Sequence, residues 1–256
     1  MSVEQFRKLH HQEEPLLLAN VWDVVSRKQA EEAGAKAVGT SSHVIANMLG
    51  YEDGENIPFK EMFFVIEKIT KNSNILVSAD IESGYSINLN EVVLNIEQLI
   101  KIGVVGINLE DGIVKDGKRS MVAAEKFAEK IHFIKKELKA KNMDIYINAR
   151  TDTYTTKHPD ALQETLRRVK LYEAAGADGI FVPLIQTEND IKAVVESTKL
   201  PLNTFVTPDS LPYEQLKTLG VKRCSSGDKA HAKITTQLQE TYRNFCVSKN
   251  FESLFK

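Results

Sequence analysis

Ser78-Ala79-Asp80-Ile81-Glu82-Ser83-Gly84-Tyr85 follows directly on the apolar run Ile75-Leu76-Val77. Residues two apart on a strand point the same way, so Asp80 and Glu82 face one side of the chain where the apolar run ends. Two adjacent carboxylates repel each other, and a fold keeps them where a cation lies between them or where they stay in water. The same event recurs at Ile107-Asn108-Leu109-Glu110-Asp111 and at Ile145-Tyr146-Ile147-Asn148-Ala149-Arg150-Thr151-Asp152. Three apolar strands that each end in charge point to one site at one end of one sheet.

A second phrase sets the architecture. A helix-like end, a Gly and a β-rich run recur around Gly34, Gly103, Gly176 and Gly220. Gly just past a helix supplies the left-handed residue that closes it, and a short link then feeds the next strand. Strand candidates lie at 16–20, 37–41, 75–80, 106–111, 145–150, 179–183, 201–206 and 222–227. Helix-like segments fall at 24–33, 60–71, 89–102, 122–140, 160–175, 188–198, 211–219 and 229–247. Eight βα units in a chain of this length give an α/β fold, the (β/α)8 TIM barrel, whose active sites sit at the C-terminal strand ends. A doubly wound open sheet is the rival, but no Gly-x-Gly-x-x-Gly follows the first strand. The link after the fourth strand, Gly112–Ser120, carries two Gly and three basic residues and reads as a lid over an anion.

The 256 residues are expected to form one barrel domain, with 229–256 as a C-terminal helical segment. Thirty-three basic and 35 acidic residues leave no footprint for nucleic acid or an acidic membrane. No apolar stretch is long enough to span a bilayer, the N-terminus lacks a signal-peptide core, and two cysteines make no disulfide framework. A cytoplasmic protein is the expectation.

Asp80, Glu82 and Glu110 are hard oxygen ligands suited to Mg²⁺, with Mn²⁺ as the alternative. Solvated acids or lysine partners are the competing reading. Glu52-Asp53-Gly54 is good turn chemistry, and Asp53 gains weight only from the other acids. Arg150 at a strand end suits a carboxylate or phosphate, or a salt bridge to Asp152 or Glu110. Ser41 and Ser42 precede a helix-like run as N-caps or as anion-binding positions. His43 stands as a possible acid or base, Cys224 reads as core, and Asp23 as a helix N-cap.

The set Thr40-Ser41-Ser42, Leu49-Gly50-Tyr51-Glu52-Asp53-Gly54, Ala79–Tyr85, Asn108–Asp111, Asn148–Asp152 and Gly176–Pro183 resembles the isocitrate lyase/phosphoenolpyruvate mutase superfamily. The resemblance runs in order from about residue 10 to 230. It implies a barrel with Mg²⁺ acting on small 2-oxo carboxylates. It implies Asp80 as the direct metal ligand, with Asp53, Glu82 and Glu110 holding the ion mostly through waters. It implies Ser41, Ser42, His43, Asn108 and Arg150 as substrate-binding, and Arg150 and Glu110 as catalytic. Lys118, on the lid, joins Lys115, His43 and a metal-bound water as candidate proton donors. It also implies exchange of the last helix between subunits of a homo-oligomer, a dimer of dimers (homotetramer).

Two departures narrow the choice. The lyase branches carry a Lys-Lys-Cys-Gly-His motif in the loop after strand four, and the mutase branch Lys-Thr-Asn-Ser. Here the loop reads Val114-Lys115-Asp116-Gly117-Lys118-Arg119 and has neither. Where the mutase has a strand-six His, this chain has Pro183. The expectation is a Mg²⁺-dependent lyase or hydrolase breaking a C–C bond, with decarboxylation of an oxaloacetate-like acid leading. The alternatives are a mutase or hydrolase acting on the P–C bond of phosphonopyruvate, and a barrel that binds a carboxylate without turning it over.

Overall fold

The computed structural model describes residues 1–115 and 117–255. Its strands are β1 (Leu16–Val21), β2 (Ala37–Thr40), β3 (Leu76–Asp80), β4 (Gly106–Glu110), β5 (Gly112–Lys115), β6 (Lys118–Met121), β7 (Tyr146–Arg150), β8 (Gly179–Phe181), β9 (Leu202–Phe205) and β10 (Arg223–Ser225). The helices are α1 (Val3–Leu9), α2 (Val24–Glu32), α3 (Ser42–Met48), α4 (Phe59–Lys71), α5 (Leu89–Lys101), α6 (Ala124–Ala140), α7 (Ala161–Ala175), α8 (Glu188–Ser197), α9 (Tyr213–Thr218) and α10 (Lys229–Cys246).

Eight of the strands pair in parallel and close in the order β1-β10-β9-β8-β7-β4-β3-β2. This is the (β/α)8 barrel expected from the strand count. The four phrase glycines all lie at positive φ, between 89° and 99°, and Gly176 is the left-handed C-cap of α7. Alternation along β4 explains the two acids at its end. Glu110 pairs in register with Arg150 on the barrel interior. Asp111 turns outward into the helix layer, where it accepts from Arg168 Nη1 (2.8 Å) and Tyr172 Oη (2.6 Å). The outer core joins these strands to the helices through Ile66, Ile96, Phe127, Ile131 and Tyr172, all fully buried.

Two elements were not foreseen, α1 and the β5–β6 hairpin. α1 closes the N-terminal end of the barrel: Phe6 packs there with Leu16, Leu18, Ala37, Leu76 and Tyr146. Arg7 fixes α1 from outside through Asp144 (2.6 and 2.9 Å) and Asp178 (3.0 Å). The short helix expected after Ser41 is present as α3, with Ser41 as its N-cap, accepting from Val44 N–H. The Gly112–Ser120 link is not an irregular loop: β5 and β6 form an antiparallel hairpin in register from Gly112↔Met121 to Lys115↔Lys118. Asp116 lies outside the described residues.

The last helix does not complete the outer ring. No residue of α10 is buried, and Ile234, Leu238, Tyr242 and Phe245 lie exposed along it. Against β1 there is instead an open groove of about 620 Å³, lined by Leu17, Ala19, Ala30, Val206, Cys224 and Ala230 among others. Leu17 is 60 % exposed in it.

Candidate active site

At the C-terminal end of the barrel a cavity of about 340 Å³ opens, lined by residues from many of the barrel strands. It gathers Asp53, Asp80, Glu82, Glu110, Ser41, Ser42, His43, Asn108 and Arg150, residues more than 100 positions apart in sequence.

Asp80 ends β3 and is partly buried at the cavity. Its Oδ2 accepts from Ser42 Oγ (2.9 Å) and Ser42 N–H (3.4 Å), and its own N–H is held by Thr40 Oγ1 (2.9 Å). Its Oδ1 is buried with no hydrogen-bond partner. Burial raises the Asp80 carboxyl above its ordinary range despite the nearby Arg150 and Ser42. Glu82 sits two residues on in the left-handed region (φ 49°). That turn lets its carboxylate accept from Glu55 N–H (2.9 Å) and Tyr85 Oη (3.0 Å). Burial, with Asp53, Glu110 and Asp80 as like charges, pushes Glu82 up to about 8.

Glu110 accepts from two guanidiniums. Arg150 Nη1 approaches Oε2 from β7 (2.9 Å) and Arg119 Nη1 approaches Oε1 from the hairpin (2.6 Å). Both arginines also reach Asp152, Arg150 through Nε (2.7 Å) and Arg119 through Nη1 (2.6 Å). Arg119 Nη2 extends to Asp53 (3.2 Å). Burial raises Glu110, with Arg150 and Arg119 opposing. Asp152 is lowered: burial resists, but the two arginines outweigh it. Asp53 is lowered against its burial by His43, Arg119 and Arg150, and His43, 3.7 Å from Asp53, is raised by it.

Beneath this acid ring lies a floor of amides backed by one buried guanidinium. Asn108 Oδ1 accepts from Asn148 Nδ2 (2.9 Å) and from Arg223 Nη2 (3.2 Å). With its oxygen so engaged, Asn108 has its amide N–H₂ left for a ligand in the cavity it lines. Arg223 is fully enclosed, and burial lowers it to about 10. Its Nε and Nη1 have no hydrogen-bond partner.

Five carboxylates (Asp53, Asp80, Glu82, Glu110 and Asp152) meet two arginines here, so a divalent cation suits the charge balance. Among the described residues no three acids, histidines or cysteines close on a single point. Asp80 Oδ1 is the unpartnered carboxylate oxygen that the cavity offers to a cation, with Asp53, Glu82 and Glu110 around it. An all-oxygen set of this kind suits Mg²⁺ or Mn²⁺.

Most of the expected residues thus come together; one does not. Lys118 is exposed on the hairpin and does not line the cavity, whereas its neighbour Arg119 does. Side chains alternate on β6, so 118 and 120 face outward while 119 and 121 are partly buried. Gly112 makes room for Arg119, because a Cβ there would meet Asp152 and lie 2.9 Å from Arg119 Nη1. Ser42 was expected to bind substrate; its hydroxyl is directed at Asp80. Thr155, Phe181, Phe205 and Lys229 also line the cavity and carry no local sequence signal that would have marked them.

Residues 6–246 match the family model for phosphoenolpyruvate phosphomutase. An uncharacterised protein of Mycobacterium tuberculosis is 31 % identical over 233 residues, covering 87 % of this chain and 81 % of the relative. An oxaloacetate decarboxylase of Paraburkholderia xenovorans is 25 % identical over 246 residues, covering 93 % and 80 %. The crystal structure of a provisionally assigned phosphonomutase from Burkholderia cenocepacia J2315 superposes with a TM-score of 0.88 at 32 % identity, covering 94 % of this chain and 99 % of that one.

Proposed function

The chain belongs to the phosphoenolpyruvate phosphomutase family, and from that premise we propose that it is a Mg²⁺-dependent enzyme breaking a C–C bond in a small 2-oxo carboxylate. Decarboxylation of an oxaloacetate-like acid is the leading form. The observation that carries this reading is the buried, unpartnered Asp80 Oδ1 at the end of β3, set among acids whose ordinary charge the site holds back.

Breaking a bond next to a carbonyl leaves an enolate, and the site must stabilise that developing oxyanion. A bound Mg²⁺, held by Asp80 directly and by Asp53, Glu82 and Glu110 through water, would supply Lewis-acid stabilisation there. The chain's own part is orientation. Ser42 fixes Asp80 so that Oδ1 stays available. Arg150, anchored on Glu110 and Asp152, brings a fixed positive charge to the cavity wall. Asn108 offers an N–H₂ from the floor. Arg119 pairs with Asp53 and Glu110 from the hairpin and offsets part of their negative charge. The sequence similarity to an oxaloacetate decarboxylase supports the reaction class.

The test is a Mg²⁺-dependent turnover screen of the purified protein with oxaloacetate, 2-methylisocitrate, isocitrate, phosphonopyruvate and phosphoenolpyruvate. Pyruvate from oxaloacetate, well above the rate with free Mg²⁺ and lost in Asp80→Ala, is the expected result. Phosphate from phosphonopyruvate would replace the reading with P–C cleavage, the alternative that the similarity to a phosphonomutase favours.

A further inference from the structure

Arg223 opens β10 and is buried in the barrel interior. Around the closed ring, β10 and β4 are opposite each other, by way of β9, β8 and β7 or of β1, β2 and β3. The side chain therefore crosses the barrel to meet Asn108 on β4, Nη2 to Oδ1 at 3.2 Å. Among the described residues this is its one hydrogen bond, no carboxylate pairs with it, and Nε and Nη1 are without partners. Asp80 favours its charge only through space. A buried cation without an ion-pair partner costs stability, and an apolar side chain of similar size would serve a barrel core better. Packing does not explain the residue.

Its one contact falls where the neighbouring amides leave a choice open. Asn108 and Asn148 face each other in the β4–β7 register and share one bond, from Asn148 Nδ2 to Asn108 Oδ1 (2.9 Å). A carboxamide carries donors on one side and an acceptor on the other, so two facing carboxamides can bond in either sense. In the reverse sense Asn108 would turn its oxygen to the cavity it lines. An oxygen there repels an anionic ligand, whereas an N–H₂ binds one. A guanidinium has donors only. Set against Asn108, it accepts the oxygen as a neighbour and excludes the N–H₂, and so fixes the sense of both amides.

We propose that Arg223 is a positioning residue: it holds the Asn108 N–H₂ towards the cavity, where that group donates to the oxygen that gains negative charge as the substrate bond breaks. The inference rests on the C–C cleavage reading and adds to it a residue that does not itself line the cavity. Donation to a developing oxyanion favours the transition state over the bound substrate, so its loss lowers kcat and leaves KM nearly unchanged.

The probe is oxalate with Mg²⁺, a planar dianion with the charge pattern of a 2-oxo acid's enolate, titrated by calorimetry beside oxaloacetate kinetics. Arg223→Met should melt no lower than the wild type, weaken oxalate about 10–100-fold and lower kcat by a similar factor. Arg223→Lys, still a donor only, should keep most of the affinity. Arg223→Gln, which offers an acceptor as readily as a donor, should lose it. In an Asn108→Ala background Arg223→Met should cost nothing further, because the effect passes through that amide. Losses that add in this cycle, or Lys and Gln variants that bind oxalate alike, would overturn the inference. A lower Tm with unchanged oxalate affinity would make Arg223 a structural residue and overturn it as well. Turnover of oxaloacetate whose kcat does not move in Arg223→Met would remove the inference and leave the cleavage reading standing. Oxalate binding that follows the cycle in a protein that cleaves no 2-oxo acid would do the reverse. Neither binding nor turnover would overturn both.

Discussion

Asp80 Oδ1 is a buried acceptor left unpaired although such atoms are costly to leave so. Its opposite oxygen is taken by Ser42, so the two residues divide one carboxylate between structure and ligand. Asp80→Ala should abolish Mn²⁺ binding, read from the loss of the free-ion signal in electron paramagnetic resonance titrations. Ser42→Ala, which only frees Asp80 to rotate, should weaken the same binding about 10–100-fold. Unchanged Mn²⁺ affinity in Asp80→Ala would remove that residue from the ligand set. Asp111, next to Glu110, should behave differently because it faces the helices. It is paired with Arg168 and Tyr172 in the interior, so Asp111→Ala should cost ~2–3 kcal/mol in urea unfolding by leaving Tyr172 Oη without its acceptor and Arg168 with only Glu164 and the Val122 carbonyl. A loss below about 1 kcal/mol would show the pair is not holding that layer.

At the scale of elements, the hairpin and α1 show what the chain discloses and what it conceals. The barrel strands were legible because each is an apolar run after a helix-closing Gly, and the acids at their ends were legible because strand alternation puts them on one side. The hairpin was not: four-residue strands of mixed polarity such as Lys118-Arg119-Ser120-Met121 carry no hydrophobic period. What pins them is long-range, Arg119 on Asp53 and Asp152. Gly112→Ala should push Arg119 off these acids and raise the rate of amide exchange across β5 and β6, with the barrel strands unaffected; unchanged exchange would mean the hairpin is held by something else. α1 was missed because its burial comes from one residue, Phe6, and no amphipathic stripe shows in seven positions. It brings His10 into the interior, stacked on Tyr146 at 4.4 Å between centroids, with Nδ1 2.8 Å from Phe6 carbonyl oxygen. Burial, with Arg223 adding to it, lowers His10 from 6.5 to about 3. The folded state therefore keeps His10 neutral where the unfolded chain protonates it. Its contribution is complete above pH 6.5 and is lost as pH falls towards 3, by about 1.4 kcal/mol per pH unit. Between pH 7 and pH 5 the wild type should lose ~2 kcal/mol more than His10→Phe does. Equal losses in the two proteins would mean His10 is not the group that titrates.

For the whole molecule, the outer layer poses the remaining question. A (β/α)8 barrel covers each strand with a helix, yet β1 exposes Leu17 and the groove beside it, while α10 exposes Ile234, Leu238, Tyr242 and Phe245. The spacing of four, four and three residues places these side chains on one face of the helix. A chain with both an uncovered apolar groove and an unburied apolar helix can satisfy both at once by exchanging the helix with a second copy. An exchange of identical elements between protomers is a low-cost route to a dimer. We therefore expect an oligomer of the 28.7 kDa chain whose assembly depends on both surfaces. Sedimentation velocity should give a multiple of the chain mass for the wild type. Leu238→Glu, on the helix, and Ala30→Glu, in the groove, should each shift it towards the monomer by placing a charge in an apolar contact. A monomeric wild type at micromolar concentration would end the proposal. If Leu238→Glu dissociates the assembly and Ala30→Glu leaves it whole, α10 packs somewhere other than the β1 groove. The two substitutions lie on separate surfaces of one protomer, so only an exchange that joins those surfaces predicts the same outcome for both.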